Sequence, residues 1–286
     1  MGIIDLHIHS TFSDGTLTPK EIVKKAEQSG ISVIALTDHD TFNGLDDFLS
    51  VKSDKIEKVK GIEISVQMRD FNFHLVGLFI DYMNEEFAEK INYLKKARID
   101  RNRKIVSKLN ELGFGISYEE LEKIAGEEIG RPHFSELLIR KGYFKDKREV
   151  FDKLLKKGAP AYFDKFRYDP LEAINLVKKK AKGISILAHP GLLPFKRKEK
   201  YKIIKELKEA GLDGLEVYYS EHTAEEVQFL EQVAKELNLV VSGGTDFHGD
   251  NKQGISLGVG RGNLKIDYNV YEKLKKLWEA KNNDFS

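Results

Sequence analysis

The chain has no cysteine. That excludes disulfides, thiolate zinc sites and cysteine nucleophiles, and it suits a reducing compartment. Charge of one sign is also missing: formal net charge is +1 over 286 residues. No global field draws the chain to nucleic acid or anionic lipid, so polyanion binding would need a local patch. No apolar run approaches the ~18 residues of a membrane helix. No basic n-region with an apolar h-region opens the sequence, which gives the expectation of a soluble, cytoplasmic protein. Low-complexity linkers and internal repeats are absent too.

What is present is an alternation of short apolar strands and amphipathic helices. "GIIDLHIH", "SVIALTDHD", "KGIEISVQM", "FHLVGLFI", "GISILAHP", "LDGLEVYY" and "LVVSGGTDFH" read as strands. "TPKEIVKKAEQSG" reads as a helix, with Thr18 as N-cap, Pro19 at the first helical position and Gly30 at the end. Near-continuous apolar strands in β-α alternation predict a largely parallel sheet, covered on both faces or closed into a barrel. The middle of the chain differs. From about Glu85 to Gly158 the pattern is helical, with almost no strand signal. The expected organisation is a β/α domain over 1–96 and 161–286, with a helical insertion domain over 97–160.

Eight histidines occur, and six of them lie on or beside strands. His7 and His9 are two residues apart, so they share one strand face. Asp14 can swing in from the following turn. Asp38 and His39 end the second strand in "TDHD", and Glu63 lies in "GIEIS". His74 is in "FHLVG", His189 in "AHPG", and Asp246 and His248 in "GTDFHG". Most of these are strand C-terminal ends, where β/α folds build their sites. Singly, each has a bland explanation as a capped or half-buried polar residue. Together, buried imidazoles and carboxylates cost several kcal/mol unless a cation compensates (~3–5 kcal/mol for one uncompensated buried charge). Mixed imidazole and carboxylate without sulfur suits Mn, Fe or Zn. So many candidates exceed one four-coordinate zinc and would serve two or three divalent ions. Such ions polarise phosphoryl oxygens and turn a bridging water into hydroxide.

The motifs "DLHIHSTFSDG", "TDHD", "GIEIS", "HLVGLFID", "AHPG" and "GTDFHG", in this order, resemble those of the PHP (polymerase and histidinol phosphatase) superfamily. The resemblance implies a distorted (β/α)7 barrel and a trinuclear metal site. It implies His7, His9, Asp14, His39, Glu63, His74, His189, Asp246 and His248 as ligands. "GRPHFSELL" with "KKGAPAYF" resembles stand-alone members that act on nucleoside 3′,5′-bisphosphates or trim RNA from its 5′ end. The implied substrate is a nucleotide or short oligonucleotide, with no membrane and no obligate protein partner. The alternative is a small-metabolite phosphomonoesterase such as a histidinol phosphatase. A metal-binding module without activity predicts missing ligands, yet all are present. One departure is visible: family members often carry an aromatic or basic residue after "HPG", where this chain has Leu192.

Three further residues are expected at the substrate. Arg131 can hold a phosphate in two-pronged fashion at a helix start, and His133 lies beside it. The bland alternative for Arg131 is an ion pair with Glu127 or Glu128. The proton for the leaving alkoxide is expected from His222, in "SEHT", or from a water on a third ion; the bland alternative for His222 is a surface histidine before a helix. The run "FKRKEKYKIIK" is the strongest local basic patch and is expected as a basic lip to the site, the bland alternative being a charged helix surface.

Overall fold

A computed structural model describes residues 2–125 and 129–283, the side chain of Ala125 excepted. Glu127 and Glu128 therefore lie outside the described residues. The chain forms two compact units, Met1–Lys90 with Arg167–Ser286, and Ile91–Phe166.

The first unit carries one seven-stranded sheet in sequence order. Its strands are β1 (Ile3–Ile8), β2 (Ile31–Leu36), β3 (Glu57–Met68), β4 (Phe71–Leu78), β5 (Ile184–Leu187), β6 (Gly214–Tyr219) and β7 (Val240–Gly244). The two edges meet. His9 N–H donates to Phe247 C=O at 2.9 Å, and Asp246 N–H donates to His7 C=O at 2.9 Å. This is the nearly closed, seven-stranded α/β barrel that the sequence motifs imply.

Four of the strand pairings are parallel: β1–β2, β2–β3, β5–β6 and β6–β7. Strand β4 is reversed and runs antiparallel to both neighbours. The cause is local. Only Arg69 and Asp70 connect β3 to β4, and Met68 pairs with Phe71. A two-residue connection makes a hairpin, because a parallel crossover needs a dozen residues or more. Arg69 takes the positive φ, 54°, that such a turn demands. The reversal matters for the site. The early part of β4, carrying His74, comes to the sheet end where the other strands finish.

The first helix forms as its sequence dictates. In α1 (Pro19–Gln28), the Thr18 hydroxyl accepts from Glu21 N–H, and Glu21 accepts from Thr18 N–H. This capping box satisfies two helix-end donors. Ile22, Val23 and Ala26 form the buried face. Gly30 then takes φ +68°, which turns the chain back into β2. A buried cluster joins Ile4 and Leu6 of β1, Val33 and Ala35 of β2, and Ile184 and Ile186 of β5. The C-terminal helix (Tyr268–Asn283) adds Tyr271 and Leu274.

The second unit is helical and has its own core. Ile105, Leu109, Leu121, Phe134 and Leu138 are buried together there. No helix of the described residues is long and apolar enough to cross a membrane.

Close strand approach positions the first histidine. A Cβ on Gly244 would lie 2.5 Å from His7 N and 2.4 Å from His7 Cβ. Only backbone fits there. Gly244→Ala is therefore expected to cost about 1–3 kcal/mol, as overpacking of a close contact does. Thermal melting of the two proteins side by side checks this, and equal melting temperatures would contradict the close approach.

Candidate metal centre

Nine residues converge at one end of the sheet in the first unit. They are His7 on β1, His9 just beyond it, Asp14 in the following loop and His39 after β2. Glu63 on β3, His74 on β4, His189 after β5, and Asp246 and His248 after β7 complete the set. These are the nine ligands that the sequence motifs imply, and the fold brings all of them together.

Glu63 is the hub. Its Oε2 lies 3.2 Å from His7 Nε2, 3.1 Å from His9 Nε2 and 2.9 Å from His39 Nδ1. Its Oε1 lies 2.9 Å from His74 Nδ1 and 3.1 Å from His189 Nε2. The residue is completely buried. Asp246 Oδ1 adds His9 Nε2 at 3.2 Å, and Asp14 Oδ1 meets His248 Nε2 at 3.1 Å. Three overlapping groups can each hold an ion: His9, Asp14, His39 and His248; His7, His9, Glu63 and Asp246; His39, Glu63 and His74.

Most of these atoms are close without being hydrogen-bonded. His7 Nε2, His9 Nε2, His39 Nδ1, His74 Nδ1, Asp14 Oδ1 and Glu63 Oε2 are all buried with no hydrogen-bond partner. Orphaned buried polar atoms are rare and costly. Six of them converging, from imidazoles and carboxylates alone, fit divalent cations.

The electrostatics agree. Burial pushes Glu63 toward its neutral form, but the charges on His39, His74 and His7 outweigh it and hold the carboxyl well below the usual range. Asp246 is held down in the same way by His7 and His9 against its burial. Burial would lower His39, but Glu63 and Asp14 lift it to about 9. Burial dominates at His74 and lowers it.

Several supports were not legible as such in the sequence. Glu216 on β6 is buried and lies 2.9 Å from His7 Nδ1, while its other oxygen accepts from His189 N–H at 2.7 Å. A carboxylate behind an imidazole fixes its tautomer and leaves Nε2 free to ligate. The available signal is an acidic residue inside an otherwise apolar strand, "GLEVYY". Lys252 Nζ and Tyr219 Oη both donate to Asp246 Oδ2, at 2.7 and 2.9 Å. Asp38, singled out beside His39, is not among the converging atoms. It accepts from Ser10 N–H, Ser10 Oγ and Ser13 Oγ at 2.6–2.7 Å, which ties the β1–α1 loop to the end of β2.

The three expected substrate residues fare differently. Arg131 and His133 stand in the second unit, at the start of the helix Arg131–Arg140. Arg131 donates to Leu155 C=O at 3.1 Å and lies over the Tyr162 ring. His133 Nδ1 accepts from Gly130 N–H at 3.0 Å. His222 does not have the geometry of a proton donor. Its Nδ1 donates to Val217 C=O at 2.9 Å, and its Nε2 accepts from Gly191 N–H at 3.0 Å. Both nitrogens are spent on backbone. The basic lip is also reduced: Lys200 is buried against Gly191 C=O, and Arg197 donates to Glu225 C=O.

A fold and site of this kind define a metal-dependent hydrolase of phosphate esters. The profile of the PHP domain matches residues 5–163, and the chain belongs to the PHP family. It is 34% identical over 245 residues to a 5′-3′ exoribonuclease of Haemophilus influenzae, covering 85% of this chain and 89% of that one. It is 31% identical over 261 residues to a 3′,5′-nucleoside bisphosphate phosphatase of Chromobacterium violaceum, covering 90% and 91%. A solved structure from Chromobacterium violaceum, described as an amidohydrolase with bound sulfate, superposes with a TM-score of 0.80 at 29% identity, covering 96% of each chain.

Protons and cations compete for the same ring nitrogens. His39 holds its proton up to about pH 9 and must release it to bind an ion. Apparent Mn(II) affinity is therefore expected to rise as pH is raised from about 6 to about 8. Titration calorimetry across that range checks this, and a flat profile would contradict it. Glu63→Gln should lower affinity by an order of magnitude or more.

Proposed function

We propose that this chain hydrolyses nucleotide phosphate esters. The substrates are nucleoside 3′,5′-bisphosphates, losing the 3′-phosphate, or short oligonucleotides trimmed from the 5′ end, or both. The observation that carries this reading is the set of nine converging side chains around Glu63. The nucleotide preference is supported by relatives named as a bisphosphate phosphatase and an exoribonuclease.

The cofactor in this reading is two or three divalent ions, Mn, Fe or Zn. Bound there, such ions polarise the phosphoryl oxygens and activate a water. Charge balance supports more than one ion. Asp14, Glu63, Asp246 and the adjoining Glu216 carry four formal negative charges, and Lys252 on Asp246 offsets one of them. Two divalent ions then leave a slightly positive pocket for an anionic ester, and a third makes it more so.

The chain's own residues then have separate tasks. His7, His9, His39, His74, His189 and His248 hold neutral ring nitrogens toward the ions. Lys252 and Tyr219 steady the outer oxygen of Asp246. Arg131 and His133 are proposed as substrate-phosphate contacts, supported by their place at a helix N-terminus, where anions are favoured. The insertion over 97–160 is proposed as the substrate-binding element. A cytoplasmic setting is proposed because a chain without cysteine suits a reducing compartment.

The test is phosphate release from adenosine 3′,5′-bisphosphate by Mn(II)-loaded protein purified without chelator. AMP and free phosphate are the expected products, with histidinol phosphate turned over far more slowly. No release by protein shown to hold its ions would overturn the reading. Arg131→Ala is expected to raise KM about tenfold or more, as loss of a charged phosphate contact worth ~1.5–3 kcal/mol does. An unchanged KM would remove Arg131 from the substrate site.

A further inference from the structure

The turn after β5 carries His189, and it is gripped from three sides. His189 takes a left-handed conformation, φ 33° and ψ 53°. A residue with a Cβ adopts that conformation only where its surroundings enforce it. Glu216 accepts from the His189 N–H. Two residues further on, the Gly191 peptide is held at both ends. Its N–H donates to His222 Nε2 at 3.0 Å, and its C=O accepts from Lys200 Nζ.

Both holders are themselves fixed. His222 donates from Nδ1 to Val217 C=O, which sets the tautomer and leaves Nε2 as an acceptor. Burial lowers its pKa, in keeping with the neutral ring. Lys200 is 3% exposed, and its other contacts are the Glu226 oxygens at 3.4 Å. A fully buried lysine is unusual unless it is paired. The glycine is fitted to the ring: a Cβ on Gly191 would lie 2.4 Å from His222 Cδ2.

We propose that His222 and Lys200 are positioning residues. They lock the Gly191 peptide, and through it hold His189 in the left-handed turn that keeps Nε2 3.1 Å from Glu63 Oε1. The assignment rests on reading His189 as a metal ligand. It replaces an acid–base role for His222 with a mechanical one. It also explains why a lysine of the basic run is taken out of solvent.

Amide side chains separate the two nitrogens of the ring. In His222→Asn the amide can still donate to Val217 C=O, but it does not reach Gly191. In His222→Gln the side-chain oxygen can take the place of Nε2. Mn(II) affinity is measured on full-length protein by chelator competition, with melting of the ion-free protein as the folding control. His222→Asn and Lys200→Met are expected to lose about 10–100-fold in affinity, the range typical of residues that support a ligand. His222→Gln is expected to stay close to the parent.

Parent-like affinity in both His222→Asn and Lys200→Met would overturn the proposal. So would equal losses in the Asn and Gln variants, which would make His222 merely structural. His189→Ala is the control for the underlying reading. If it binds Mn(II) as the parent does, the ligand assignment of His189 fails, and the clamp loses its purpose with it.

Discussion

The structure depends on one buried carboxylate. Glu63 sits with five imidazole nitrogens at 2.9–3.2 Å and almost no solvent. Left alone, such a group is expensive: its charge is out of water, and the rings around it repel one another when protonated. Divalent ions relieve both problems, because they take the place of the protons and pair with the carboxylates. The cage is thus stable and functional for the same reason. Removing the ions leaves orphaned buried atoms that the rest of the fold must hold together.

The barrel is what makes the convergence possible. Parallel strands deliver the residues that follow them to one end, which supplies His9, His39, His189, Asp246 and His248. The reversed β4 delivers a residue from its early part instead, and that is His74. The backbone accommodates the crowding. Asp40, His189 and Asp246 all take positive φ at or beside the cage. Each is anchored. Asp40 accepts from Ser65 N–H, His189 N–H reaches Glu216, and Asp246 N–H reaches His7 C=O. Strain of this kind persists only where neighbours over-determine it.

The converging residues were legible in the sequence because their chemistry is rare and their placement regular. Histidine and acid at the ends of successive apolar strands is a pattern that packing alone does not produce. The supporting residues were not, because their meaning depends on partners far away in the chain. Glu216 is 209 residues from His7. Its strand reads simply as apolar with one acid. His222 looked like a candidate acid because a histidine before a helix, near the other motifs, suggests chemistry. Only its contacts, to Val217 and Gly191, reveal a holder of backbone. Lys200 sits in a charged run whose helical spacing alone does not say which lysine faces inward. The reversed β4 was hidden for a different reason: the apolar pattern of a strand carries no direction.

The central claim is that the cage around Glu63 exists to hold divalent ions. Anomalous X-ray scattering at the manganese edge, from crystals grown with Mn(II), tests it most directly. The account predicts two or three strong peaks, each within bonding distance of atoms from Glu63, Asp14 or Asp246 and the surrounding histidines. An ordered structure with no peak inside the cage, at Mn(II) concentrations that saturate the protein in solution, would contradict it.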